Sequence, residues 1–216
     1  KNRRYYGELR NNNLTEQEKF WTGEFGEDYI HRNQGDKFIA SNASMFSKII
    51  NSTGRISSIV EFGCNIGLNL QALSMLLPDC KLSGVEINGK AAEYVRDSLG
   101  IDVINESIIH FQEKNKFDLT FTMGVLIHIN PDYLSNVYSR LYDLSKKYIM
   151  VAEYYNPTPV SINYRGHTDK LFKRDFAGEI MDMYPNLKLV DYGFIYHRDD
   201  AFPQDDITWF LMEKML

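Results

Sequence analysis

The segment Ile59-Val60-Glu61-Phe62-Gly63-Cys64-Asn65-Ile66-Gly67 is an apolar run that ends in an acid and breaks into a glycine-bearing loop. Glycines at such a strand-to-helix turn let the backbone approach a ligand and take conformations closed to side chains. A second apolar run ends in Gly84-Val85-Glu86-Ile87, which puts an acid where a ribose diol would be held. A dinucleotide site would use G-x-G-x-x-G to cradle a pyrophosphate, but here Gly63 and Gly67 flank Asn65, and Glu61 precedes them. Glu61 repels a phosphate and welcomes an ammonium. The pattern therefore suggests an adenosine-like ligand with a cationic end, S-adenosylmethionine. A tight structural turn is the plainer reading of the glycines, and the second acid at Glu86 argues against it.

These residues need strands and helices to hold them, and the centre of the chain alternates accordingly. Strands are predicted at 56–62, 81–87, 102–105, 117–123 and 148–153, with helices at 68–77, 91–99 and from Pro131 through Leu144 between them. Gly100 closes one helix, and Asn130-Pro131 opens another as N-cap and first-turn proline. Parallel strands need crossover connections, so this order predicts an α/β fold with helices on both faces of a mostly parallel sheet. Thr15-Glu16-Gln17-Glu18 has the form of a capping box and starts a short helix. A second helix covers 38–50, and a third surrounds 176–184. The runs 187–196 and 207–214 predict an antiparallel hairpin at the sheet edge. The 216 residues divide into an N-terminal helical lid (1–50), a cofactor-binding core (56–153), an acceptor-side insertion (154–186) and the hairpin (187–216), all in one domain.

Net charge is −5, which gives no global attraction to nucleic acid or anionic membrane. Two cysteines are too few for a disulfide framework, and no Cys/His cluster has metal-ligand spacing. With no apolar run of about 18 residues and no leader pattern, the default location is the cytoplasm.

The glycine loop resembles the first motif of the class I methyltransferases, from which it departs at Asn65, a residue type that tolerates left-handed backbone. Phe117-Asp118-Leu119-Thr120-Phe121-Thr122-Met123-Gly124-Val125-Leu126-Ile127-His128-Ile129 is similar to their fourth-strand motif. The resemblance implies a Rossmann-like fold with a seven-stranded sheet. It places Glu61, Gly63, Asn65 and Gly67 beside the methionine moiety, Glu86 at the ribose, Ser107 or Ile108 at the adenine, and Met123 and Gly124 near the methyl group, with Cys64 and Ile87 also at the cofactor. A narrower resemblance covers most of the chain. The strings Thr15-Glu16-Gln17-Glu18-Lys19-Phe20-Trp21, Ala152-Glu153-Tyr154-Tyr155-Asn156-Pro157, Tyr164-Arg165-Gly166-His167 and Pro203-Gln204-Asp205-Asp206-Ile207-Thr208-Trp209-Phe210 are similar to the pseudaminic acid biosynthesis-associated methylases. That resemblance implies methylation of an acidic nine-carbon sugar, free or nucleotide-activated, with S-adenosylhomocysteine as the second product.

An anionic acceptor fits the residues that follow the fifth strand. Arg165, Lys170, Lys173 and Arg174 outnumber Asp169 and Asp175, and Tyr154, Tyr155 and Tyr164 offer aromatic faces beside them. A solvated face is the alternative for the charges. Methylating a hydroxyl calls for in-line positioning and a base. His167 is the first candidate, with His128 and Glu153 next, although His128 follows an apolar run and equally suits a structural histidine. Trp21, Tyr29 and Arg32 form either a lid, with Arg32 meeting the cofactor carboxylate, or plain helix packing. Competing functions are methylation of an amine or another small metabolite, and non-catalytic binding of S-adenosylmethionine. Oligomeric state is not legible.

Overall fold

A computed structural model describes residues 14–23, 26, 35–164 and 167–215, the side chains of 163–170 excepted. The chain builds α1 (Glu16–Thr22), α2 (Asp36–Asn51), β1 (Ser58–Phe62), α3 (Leu68–Leu76), β2 (Lys81–Val85), α4 (Gly89–Leu99), β3 (Asp102–Ile104), β4 (Phe117–Met123), α5 (Leu134–Leu144), β5 (Ser145–Glu153), β6 (Val160–Tyr164), β7 (His167–Lys173), α6 (Phe176–Met183), β8 (Leu187–Ile195) and β9 (Ile207–Lys214).

Seven strands form one sheet in the order β3-β2-β1-β4-β5-β9-β8. The strands from β3 to β5 run parallel, and β9 is antiparallel to both β5 and β8. The expected edge hairpin is present, with β9 on its inner side. Alternation along each strand divides the core between the two faces. Val60, Ile149 and Val151 join Leu141 of α5 and Ile180 of α6 on one face. Ile59, Met150 and Ala152 join Phe46 of α2 and Leu73 of α3 on the other. Because both faces are covered, the inner strands β1 and β4 are almost continuously buried, as parallel strands between two helical layers are.

The chain lays β1, β2 and β3 outward in one direction, then returns to place β4 on the other side of β1. The crossovers diverge there, and a crevice opens beyond the carboxyl ends of β1 and β4, the place where open α/β sheets bind ligands.

Local chemistry sets the boundaries that matter for this crevice. Thr15 and Glu18 make both bonds of the capping box: the Thr15 hydroxyl accepts from the Glu18 amide at 3.1 Å, and the Glu18 carboxylate accepts from the Thr15 amide at 2.8 Å. The Asn88 side chain accepts from the amides of Lys90 and Ala91, so α4 begins at Gly89, two residues before the predicted start. Asn130 caps a single 3₁₀ turn, Pro131–Tyr133, which then leads into α5. The hairpin of β6 and β7 was not anticipated. It forms a separate two-stranded sheet inside the 154–186 insertion and packs against the 3₁₀ turn Leu126–His128. No described helix is long and apolar enough to cross a membrane. Among the described residues, no group of three His, Cys, Asp or Glu side chains could hold a metal ion.

Candidate active site

The loop after β1 is held from below by the end of β2. The amides of Gly63 and Cys64 donate to the Val85 carbonyl at 2.8 and 3.2 Å, and the Asn65 amide donates to the Glu86 carboxylate at 2.7 Å. Gly63 and Gly67 lie at φ 77°, and Asn65 at φ 46°. Asn65 thus takes the left-handed conformation its side chain permits, and its own Oδ1 accepts from the Ile66 amide at 2.7 Å. A Cβ on Gly63 would stand 2.6 Å from Val125 Cγ2, so glycine is also what lets the loop after β4 approach this closely.

Two buried acids face the loop. Glu86 accepts from the Asn65 and Asn88 amides, each at 2.7 Å, and burial raises its pKa. Glu61, 1% exposed, accepts from Asn69 Nδ2 at 2.6 Å through one oxygen, while its other oxygen has no partner among the described residues. Burial is the main reason its pKa is pushed up to about 8. A buried carboxylate oxygen left unsatisfied is costly, and an ammonium beside it would relieve the cost. The residues present therefore fit the amine of S-adenosylmethionine.

A raised carboxyl pKa has a definite consequence for stability. An unfolded Glu61 ionises near its ordinary value of 4.5, whereas the folded one holds its proton up to about 8. Between those values the unfolded state binds fewer protons, so stability falls as pH rises. Scanning calorimetry of the cofactor-free protein is expected to show the melting temperature dropping between about pH 5 and 8.5, and Glu61→Gln should flatten that slope. An equally steep slope in the variant would deny Glu61 this role.

One cavity of about 380 Å³ joins these parts. Of the residues expected at the cofactor, Glu61, Gly63, Cys64, Asn65, Glu86, Ile87, Ile108, Met123 and Gly124 all line it. Gly67 stands apart, as the N-cap of α3. Ser107 is buried beside the cavity, where its hydroxyl donates to the Glu18 carboxylate and accepts from the Ile109 amide at 3.1 Å. Glu18 therefore serves α1 and the turn after β3 at once. Arg32 and Tyr29 lie outside the described residues. Trp21 lines the cavity and packs on the His128 ring, with centroids 4.8 Å apart.

The three candidate bases separate. His128 lines the cavity from its 3₁₀ turn. Glu153 is buried behind that turn and accepts from three successive amides, those of Val125 and Leu126 at 3.1 Å and of Ile127 at 3.4 Å. Burial pushes its pKa up to about 7 against those donors. This arrangement positions the turn. His167 opens β7 at the tip of its hairpin, paired with Tyr164, and its side chain lies outside the described ones.

The acceptor candidates also divide. Tyr154 lines the cavity, with Lys173 Nζ 5.0 Å from its ring centroid. Arg174 is drawn instead into an ion pair with Glu179 at 2.6 Å, whose second oxygen accepts from the Tyr138 hydroxyl at 2.6 Å. Tyr155 packs on Phe210, 5.8 Å between centroids, and together with Arg174 borders a separate small pocket. The side chains of Tyr164 and Arg165 lie outside the description. Phe38, Asn42, Gln204 and Asp205 line the main cavity and were not anticipated there. Asn42 did leave a signal, a polar residue at helical spacing from Met45, Phe46 and Ile49 on the buried face of an amphipathic helix.

Residues 59–148 match the family described as a methyltransferase domain. This match supports an S-adenosylmethionine-dependent methyltransferase, and the sheet order and glycine loop are those of the class I fold. No curated protein sequence matches the chain significantly. Among solved structures, DesVI of Streptomyces venezuelae is similar with a TM-score of 0.62 at 12% identity, over 88% of this chain and 97% of that one. Magnesium protoporphyrin IX methyltransferase from Synechocystis PCC 6803, with bound S-adenosylmethionine, has a TM-score of 0.63 at 12% identity, over 94% of this chain and 100% of that one. An amino pentose methyltransferase from Micromonospora echinaspora has a TM-score of 0.63 at 9% identity, over 88% and 96%. At such identities the likeness is one of fold.

Proposed function

We propose that the chain methylates a hydroxyl oxygen of an acidic nine-carbon sugar, or of its nucleotide-activated form, in surface-glycan biosynthesis. The observation that carries the chemistry is the single cavity in which the Gly63–Gly67 loop, the unsatisfied Glu61 oxygen and His128 meet. S-adenosylmethionine, when bound, supplies an electrophilic methyl group on a cationic sulfur. Glu61 and the glycine loop hold its amino acid end, Glu86 its ribose hydroxyls, and Ile87 and Ile108 the faces of its adenine. His128 takes the proton from the acceptor hydroxyl as that oxygen gains the methyl group. Trp21 covers the histidine and excludes water, and Glu153 fixes the turn through its three amide bonds. The acid sugar is supported by the resemblance of the strings quoted above to the pseudaminic acid-associated methylases and by Lys173 beside Tyr154.

A second reading is methylation of an amine on a sugar. The charged side chains lining the cavity, Glu18, Glu61, Glu86 and Asp205, are all acids among the described residues, and the structural neighbours include an amino pentose methyltransferase. Release of S-adenosylhomocysteine with the free acid sugar, its activated form or an amino sugar separates these readings. Mass spectrometry of surface glycan from cells with and without the gene identifies the product. Turnover with the amino sugar alone would replace the first reading by the second.

A further inference from the structure

The cavity is also lined by residues that the cofactor assignment does not use. Past Met123 and Gly124 its wall changes to Phe38 and Asn42 from α2, Tyr154 after β5, and Gln204 and Asp205 from the loop before β9. None of these belongs to the glycine loop or to the acids facing it, so they form a second part of the wall, a lobe of their own in the lining.

This second lobe is organised. Gln204 Nε2 donates to Asn42 Oδ1 at 2.6 Å across 162 residues of sequence, which ties the loop to α2. Asn42 is 5% exposed. That bond uses one donor of Gln204 and one acceptor of Asn42. Among the described residues, neither the Gln204 side-chain oxygen Oε1 nor the Asn42 side-chain amino group has a further partner. Each points to the ligand chemistry required: one group accepts a hydrogen bond and the other donates one. Asp205 adds two acceptor oxygens on the exposed side. The neighbouring Asp206 anchors the loop, accepting from the His197 amide at 3.0 Å and meeting its ring at 2.9 Å. Phe38 and Tyr154 add apolar and aromatic surface.

Neutral amides, carboxylate acceptors and ring faces together suit a hydrated, polyhydroxylated ring. They do not suit a fatty chain, which would leave the amides unpaired, or a phosphate, which Asp205 would repel. We propose that Asn42, Gln204 and Asp205 are the specificity-determining residues that read the hydroxyl or amide groups of a sugar ring, and that any carboxylate on this ring is turned away from Asp205 toward Lys173. This rests on the site assignment above, but it requires neither the acid sugar nor the amine reading to be the correct one.

The test measures steady-state kinetics with whichever sugar, acid or amino, the wild-type protein methylates, together with calorimetric binding of S-adenosylhomocysteine. Gln204→Ala and Asp205→Asn are expected to raise the acceptor KM about tenfold or more, with kcat and S-adenosylhomocysteine affinity changed less than about twofold. Both residues lie in a loop at the cavity edge, so the variants are compatible with folding, and the unchanged S-adenosylhomocysteine affinity checks it. An acceptor KM within twofold of wild type in both variants overturns the inference and leaves the proposed reaction standing. Methylation of an amino sugar alone, with a KM sensitive to Gln204, rejects the acid-sugar reading and supports the inference. Turnover of an acceptor with no sugar ring overturns both.

Discussion

Replacing Glu86 by alanine is expected to weaken S-adenosylmethionine binding by about 10²- to 10⁴-fold. Two hydrogen bonds from the ribose hydroxyls to a charged carboxylate are each worth about 1.5 to 3 kcal/mol, and 1.4 kcal/mol is a factor of ten. The structure adds a second loss in the same direction. Glu86 also accepts from the Asn65 and Asn88 amides at 2.7 Å, so the variant loses the bond that holds the centre of the cofactor loop. Titration calorimetry checks the affinity, and a thermal melt checks that the sheet survives. An affinity within about threefold of wild type in a folded variant would remove Glu86 from the ribose site.

The second large effect is on chemistry. General-base catalysis is worth about 10² to 10⁴-fold, so His128→Ala is expected to lower kcat by that factor while leaving cofactor affinity nearly unchanged. The pH profile carries more information than the rate alone. A histidine base makes kcat/KM rise through one ionisation in the range where imidazoles titrate, and the variant should lose that step. Persistence of the step in His128→Ala and its loss in His167→Ala would move the role to the hairpin. Glu153→Gln should behave differently from either. An amide in place of the carboxylate leaves the three turn amides short of acceptors, so it should displace the turn and reduce kcat without removing the ionisation.

Much of this was legible because the physics involved is local. Ile59 and Val60 alternate between the two faces, Gly100 ends α4 at φ 67°, and Thr15 with Glu18 makes the capping box it spells. The glycine loop and its two acids are equally local signals. The β6–β7 hairpin was not legible because its described side chains show no clean alternation: Val160 and Ile162 are exposed, and Leu171 joins the core. Glu153 sits at a strand end, as catalytic acids often do. That its oxygens meet three amides depends on β4 and β5 being neighbours with Met123 opposite Ala152, a fact of pairing that no single segment contains. Gln204 and Asn42 meet for the same kind of reason. Sequence shows neither a loop's landing place nor the helix it lands on.

The strand order at the far edge has a consequence for how the chain is made. β8 precedes β9 in synthesis, yet β9 is the strand that must lie between it and β5. Until β9 emerges, β8 lacks its native partner, and it carries Leu189, Val190, Tyr192 and Phe194, all exposed even in the finished sheet. A nascent chain therefore passes through an interval in which a nine-residue β-former waits unpaired beside an open edge at β5, the circumstance in which strands of different molecules pair wrongly. Arrival of β9 closes both edges in one event, since its two sides bond to β5 and β8 over most of its length. The sheet is thus completed by insertion from the middle, which couples the C-terminal side of the crevice, where Gln204 and Asp205 sit just before β9, to the final docking step of folding.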